Sequence, residues 1–114
     1  MFKITIAILL FALQANAETV KQKGIASWYG KENKKSSTGK PLHTKIPAVA
    51  HKTLPIGSKV KIVAVKTKKE VVAVVEDRGP YVKGRIVDLN YVAAKQLGII
   101  NTGLALVTLE KLTN

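Results

Sequence analysis

The sequence predicts a mainly β domain, six short strands closed into a barrel with one α-helix, preceded by an amino-terminal export signal. Three observations carry that prediction. Short β-branched segments recur between residues 24 and 110, separated by turns rich in Gly, Pro, Ser and Lys. A single segment combines helical spacing with both caps. Strands and helices do not alternate as a parallel α/β sheet requires, and closure removes the exposed edges that a small strand-rich domain would otherwise present.

The chain opens with Lys3, an apolar run from Ile4 to Leu13 and the small-residue pattern Ala15-Asn16-Ala17. This is the three-part layout of a secretory signal, with cleavage expected between Ala17 and Glu18. The run is too short for a spanning helix, which needs about 20 apolar residues. Residues 1–17 are therefore read as a signal peptide, 18–23 as a polar leader and 24–112 as the folded domain. The chain has no cysteine, which excludes thiol catalysis, cysteine-ligated zinc and disulfide stapling. It also leaves no residue to carry a lipid after the signal. Neither a lipid anchor nor a transmembrane anchor is expected, and the released protein is expected to be a soluble monomer of bacterial type.

In chain order, Gly24–Tyr29 reads as a first strand ending in two aromatics, followed by the loop Gly30–Pro41. A second strand is expected at Ile46–Ala50. In Lys59–Val65, Val60 and Ile62 alternate with Lys59 and Lys61, the period-two pattern of a half-buried strand. The far end of that strand is more apolar and is expected to be covered on both faces. Glu70–Glu76 is the most β-branched segment and stops at Asp77-Arg78-Gly79-Pro80, where proline removes a ladder donor. Arg85–Leu89 and Leu104–Leu109 supply the last two strands. Between them Asn90 is the expected N-cap of a helix over Tyr91–Leu97, with Gly98 beyond its end and Val92, Ala93 and Leu97 facing the core.

Of the nineteen basic residues only Lys3 lies in the signal, which leaves eighteen against seven acidic residues, a formal charge of +11. Such a surface attracts polyanions. No zinc-finger, helix-turn-helix or aromatic RNA-binding signature accompanies the lysines, so nucleic acid is not the expected partner. An exported protein meets anionic wall polymers and phospholipid surfaces instead.

Three ordered blocks, Gly24-Ile25-Ala26-Ser27-Trp28-Tyr29-Gly30, Ala48-Val49-Ala50-His51-Lys52-Thr53-Leu54-Pro55-Ile56-Gly57 and Val75-Glu76-Asp77-Arg78-Gly79-Pro80-Tyr81, are followed by Arg85-Ile86-Val87-Asp88-Leu89. In order and spacing they resemble the rare lipoprotein A family of double-psi β-barrel proteins. The resemblance implies a six-stranded double-psi β-barrel and an endolytic lytic transglycosylase. Such an enzyme cuts the β-1,4 MurNAc–GlcNAc bond of peptide-free peptidoglycan strands and forms a 1,6-anhydro sugar without consuming water. It implies peptidoglycan glycan strands as the partner and no cofactor.

Glycoside cleavage needs a proton donor for the leaving oxygen. The resemblance places Asp77 in that role, and its setting at the end of an apolar strand is expected to raise its pKa by desolvation. His51 matches the family's active-site histidine, expected to hydrogen-bond the acid or the sugar. Pairing His51 with His43 as a metal site is not expected, since no third ligand stands at a suitable spacing. Tyr29, Lys40, Lys52 and Arg78 are expected to contact substrate, and for Trp28 sugar stacking and core packing stand as equal readings. Asp88 is expected to act structurally, as a helix cap.

The departure from the family lies in Ser36-Ser37-Thr38-Gly39-Lys40-Pro41-Leu42-His43, where the family has a Thr-Ala-Ser-Gly-Glu-like element followed by an aromatic and an aspartate. The family's second acid falls on Lys40, whose ammonium would favour the ionised form of Asp77. Glu32 and Glu76 are the available substitutes, with Glu76 expected on the opposite strand face from Asp77. The second functional class is therefore a non-catalytic peptidoglycan-binding or wall-remodelling barrel.

Overall fold

A computed structural model of the chain describes residues 21–30, 36–37 and 39–113. The expected signal peptide and the first part of the leader lie outside the described residues. Six strands, β1 (Lys21–Trp28), β2 (Ala48–Ala50), β3 (Lys59–Ala64), β4 (Glu70–Asp77), β5 (Arg85–Leu89) and β6 (Ala105–Lys111), close into a barrel in the order β1-β5-β2-β4-β3-β6. The pairs β1–β5 and β2–β4 are parallel and the other four are antiparallel. One helix among the described residues, α1 (Tyr91–Leu97), follows β5.

Alternation fixes which side chains fill the barrel. Val60, Ile62 and Ala64 of β3, Val71, Ala73 and Val75 of β4, Val87 and Leu89 of β5, and Val107 and Leu109 of β6 are all buried, while Lys59 and Val72 face out. Burying each of the larger side chains contributes about 1.5–3 kcal/mol, and with no disulfide this core is the main source of stability. At Gly24 β1 leaves no room for a side chain: a Cβ there would lie 2.6 Å from Ile86 Cγ2 and 3.3 Å from the Gly84 carbonyl oxygen.

Asn90 caps α1 by accepting the Ala93 N–H at 2.9 Å, and Gly98 ends it in the left-handed region at φ 81°. The buried helix face is Ala93, Ala94 and Leu97. Val92 is only half-buried, so the core-facing stripe lies one residue round from the expected one.

The strand limits differ from the sequence reading where partners outside the strand decide. β1 begins at Lys21 because Lys21, Gln22 and Lys23 pair with Glu110, Leu109 and Thr108 of β6, so part of the expected leader is strand. β6 correspondingly starts at Ala105 and runs on to Lys111. β2 starts only at Ala48: the Ile46 carbonyl oxygen is taken by the Asn90 side chain at 2.8 Å, and Pro47 has no N–H to give. Val63 and Val65, at the far end of β3, are half-buried rather than covered on both faces.

Candidate active site

The end of β4 is where strand alternation fails. β2 pairs Val49 with Val75 and then Ala50 with Asp77, which leaves Glu76 as an extra residue opposite the step between them. A bulge of this kind re-aims side chains. Glu76 and Asp77 consequently line one cavity of about 540 Å³, together with Ser37, Lys40, Ile56 and Arg78. The expectation that Glu76 would point to the opposite face is corrected by this bulge.

The loop that supplies Ser37 and Lys40 closes on itself through Ser36 N–H to the Lys40 carbonyl oxygen at 2.7 Å and Gly39 N–H to the Ser36 carbonyl oxygen at 2.9 Å. This brings Ser37 onto Asp77. Asp77 Oδ1 accepts the Ser37 main-chain N–H at 3.0 Å and its hydroxyl at 2.8 Å. Desolvation pushes the Asp77 carboxyl up, but the Ser37 N–H, the Arg78 N–H, the Ser37 hydroxyl and the Arg78 guanidinium together pull it below the usual value. Asp77 is thus held ionised. The expected upward shift is overruled by those donors, and Lys40 is not among the groups that depress it.

Glu76 is bound on both oxygens. Oε1 accepts the His43 main-chain N–H at 2.7 Å and meets His43 Nδ1 at 2.6 Å, and Oε2 accepts the Tyr29 hydroxyl. The side chain of Glu76 is 5% exposed, that of His43 47%. Burial first, then Glu76, pushes the Tyr29 phenol well above the ordinary tyrosine range. Tyr29 and His43 also line a smaller cavity of about 100 Å³ with Leu42, Thr44, Asn90 and Tyr91.

His51 is not brought side chain to side chain with Asp77. Its ring is 2% exposed. Nδ1 accepts the N–H groups of Thr53 and Leu54, both at 3.1 Å, which places the proton on Nε2, 2.8 Å from Gln22 Oε1. Burial, Arg78 and Lys52 lower its pKa, so the imidazole stays neutral. The ring faces a separate cavity of about 170 Å³ with Gln22, Lys52, Thr53 and Ile86. Lys52 belongs to that cavity and not to the one at Asp77. The contact between His51 and Asp77 is main chain, His51 N–H to the Asp77 carbonyl oxygen at 3.0 Å.

Arg78 donates from Nη1 to the His51 carbonyl oxygen at 3.1 Å and the Leu54 carbonyl oxygen at 2.6 Å. Trp28 is half-buried against the core, its ring centroid 5.9 Å from that of Tyr91 at an interplanar angle of 54°. Asp88 accepts the Ser27 hydroxyl from the neighbouring strand, and the cap it was expected to form is Asn90 instead. Glu32 lies outside the described residues.

A family model described as lytic transglycolase matches residues 21–109. The chain belongs to this family of double-psi β-barrel proteins. Among curated relatives of the chain, the endolytic peptidoglycan transglycosylase RlpA of Vibrio cholerae is 41% identical over 100 residues, covering 86% of this chain and 38% of the relative. RlpA of Campylobacter jejuni is 43% identical over 89 residues, 76% of this chain and 32% of the relative. The chain thus spans about a third of the length of these relatives. Among solved structures, the apo expansin of Clavibacter michiganensis superimposes with a TM-score of 0.67 at 18% identity, over 83% of this chain and 52% of the expansin. The Streptomyces papain inhibitor gives 0.65 at 18% identity, over 82% of this chain and 96% of the inhibitor. At that identity these two share the fold alone.

Ser37, Gln22 and the His43–Glu76 pair were not assigned from sequence. Ser37 sits in a Ser/Thr/Gly loop whose composition announces a turn but no partner. The Glu76 position depends on a bulge that period-two reading cannot see.

Proposed function

We propose that this chain is an exported lytic transglycosylase, released after Ala17, that cleaves β-1,4 MurNAc–GlcNAc bonds of peptide-free peptidoglycan strands and leaves 1,6-anhydro ends. The observation that supports this most is Asp77: an ionised carboxylate on an open cavity, aimed by two donors from Ser37 at the family's catalytic position. An oxocarbenium-like centre is stabilised by such a fixed negative charge. The same carboxylate can take the proton of the muramic 6-hydroxyl as its oxygen attacks the anomeric carbon. The other carboxylate in the cavity, Glu76, has both oxygens engaged, which favours internal attack over activation of water by a second acid.

Lys40, on the cavity wall in place of the family's second acid, supports the alternative of a non-catalytic barrel that holds anionic wall polymer. Digestion of purified, peptide-stripped glycan strands followed by mass analysis separates the two. Fragments lighter by one water than hydrolytic products are expected; intact strands retained on the protein would establish the binder.

A further inference from the structure

The proposed reaction needs a proton for the leaving oxygen, and Asp77 is held in the form that has none to give. The neighbouring groups sort by chemistry. Lysine and arginine side chains keep their protons at neutral pH, so Lys40 and Arg78 serve as charges. Tyr29 is half-buried with its hydroxyl proton given to Glu76, and His51 is buried with both ring nitrogens engaged. His43 differs from all of these. Its ring is open to the surface, while a nearly buried carboxylate holds it by Nδ1 at 2.6 Å and by its own main-chain N–H at 2.7 Å. Since Oε1 already accepts the main-chain N–H, Nδ1 carries the proton, and Nε2 makes no hydrogen bond among the described residues. An imidazole oriented through one nitrogen with the other presented outward is the arrangement that proton transfer requires.

We propose that His43 protonates the leaving glycosidic oxygen, with Glu76 as its positioning carboxylate; this rests on the transglycosylase reading above. Glu76 joins the two cavities, lining that of Asp77 and binding His43 and Tyr29 of the other. A strand lying across both sets the scissile bond over Glu76. The C1–O4 bond breaks as O4 takes the Nε2 proton of the imidazolium. The 6-oxygen bonds to C1, and its proton passes to Asp77. His43 ends neutral and Asp77 protonated, and exchange with solvent restores both. The titratable groups that share its cavity or bind its ring are Glu76 of β4, Tyr29 after β1 and Tyr91 of α1.

The test uses the full chain on denuded glycan. His43→Asn keeps an N–H donor where Nδ1 stands but has no second nitrogen, so turnover should fall about 10²- to 10⁴-fold with glycan binding and melting temperature retained. Glu76→Gln should lower kcat with KM little changed, and the double variant should be no slower than His43→Asn alone, because a carboxylate that only positions the imidazole has nothing left to act on once the ring is gone. A folded His43→Asn protein releasing anhydro ends at the wild-type rate, or a double variant slower than His43→Asn by the full Glu76→Gln factor, overturns the inference and leaves the transglycosylase reading intact. Absence of anhydro ends from the wild type overturns both.

Discussion

Arg78 and His51 are joined through the main chain, the guanidinium Nη1 donating to the His51 carbonyl oxygen at 3.1 Å while the His51 N–H donates to the carbonyl oxygen of Asp77. The same Nη1 reaches the Leu54 carbonyl oxygen, and the His51 ring accepts the N–H groups of Thr53 and Leu54. The 51–54 turn and the Asp77-Arg78 turn therefore form one hydrogen-bonded unit beside the Asp77 carboxylate. His51 is linked to Asp77 through that unit and through Arg78.

Arg78→Met should loosen the unit and release both titrations. Two donations to main-chain oxygens are lost, and hydrogen bonds to charged groups contribute about 1.5–3 kcal/mol each, so a loss of that order is expected in urea denaturation. Removing the cation should also let the Asp77 carboxyl and the His51 imidazole titrate at higher pH than in the wild type. Side-chain NMR titration reads both, and unchanged values would mean that Arg78 does not couple the two residues.

Acid should destabilise the protein in two steps. His51 titrates below its ordinary value in the folded state, so as pH falls below about 6.5 the unfolded chain takes up a proton that the native imidazole refuses. Its stabilising contribution is complete above that pH and is lost toward its lowered folded value. Asp77 has the same sign in a lower window: its contribution is present above the ordinary carboxylate value near about 4 and disappears as pH falls through the folded one. His51→Asn tests the first step, because an asparagine oxygen can accept the N–H groups of Thr53 and Leu54 as in an Asx turn, without a group that titrates. Melting temperature against pH should then lose the decline that begins as pH falls below about 6.5 while keeping the lower one. Persistence of the first decline would assign it to another residue.

The fold was legible because each strand carries its own period. The alternation in β3, the apolar density of β4 and the Asn90 and Gly98 caps of α1 are local signals, and the structure returns all of them. The carboxylate at Asp77 was legible only through its neighbours in the family pattern. What could not be read are effects between distant segments: the bulge that turns Glu76 inward arises from the register of β2 on β4, and the state of Asp77 is set by Ser37, forty residues away in the chain. Lys40 illustrates the limit. Sequence comparison puts a cation beside Asp77, yet the groups that hold the carboxyl ionised are serine donors and the adjacent arginine.

Asn90 does more than cap a helix. Its Oδ1 accepts the N–H groups of Ala93 and Ala48 at 2.9 and 3.1 Å, and its Nδ2 donates to the carbonyl oxygens of Ile46 and His43 at 2.8 and 3.1 Å. The residue is 2% exposed, so Asn90→Ala strands partners that water cannot easily reach. Loss of the cap costs about 1 kcal/mol and each stranded polar group about 1–3 kcal/mol, which predicts a destabilisation of roughly 3 kcal/mol or more in denaturant titration. A loss below about 1 kcal/mol would show that solvent replaces the side chain.

Asp77→Asn is the substitution that decides between enzyme and binder. The amide oxygen can still accept the Ser37 N–H and hydroxyl, so the loop should stay docked and circular dichroism should not change. On the proposed mechanism the variant lacks both the negative charge at the anomeric centre and a base for the 6-hydroxyl. Loss of one such group costs about 10²- to 10⁴-fold, roughly 3–5 kcal/mol of barrier, so anhydro ends should all but vanish while strands still bind. Lys40→Glu acts on attachment. It reverses a charge on the cavity wall, so sedimentation with anionic sacculi should weaken at low salt, and the difference should fade where the Debye length shrinks to about 8 Å. Its effect on turnover should appear in KM. A folded Asp77→Asn protein that releases anhydro ends at the wild-type rate would remove Asp77 from the reaction. Wild type and both variants that bind sacculi in proportion to their charge, with no anhydro ends from any of them, would establish the non-catalytic barrel.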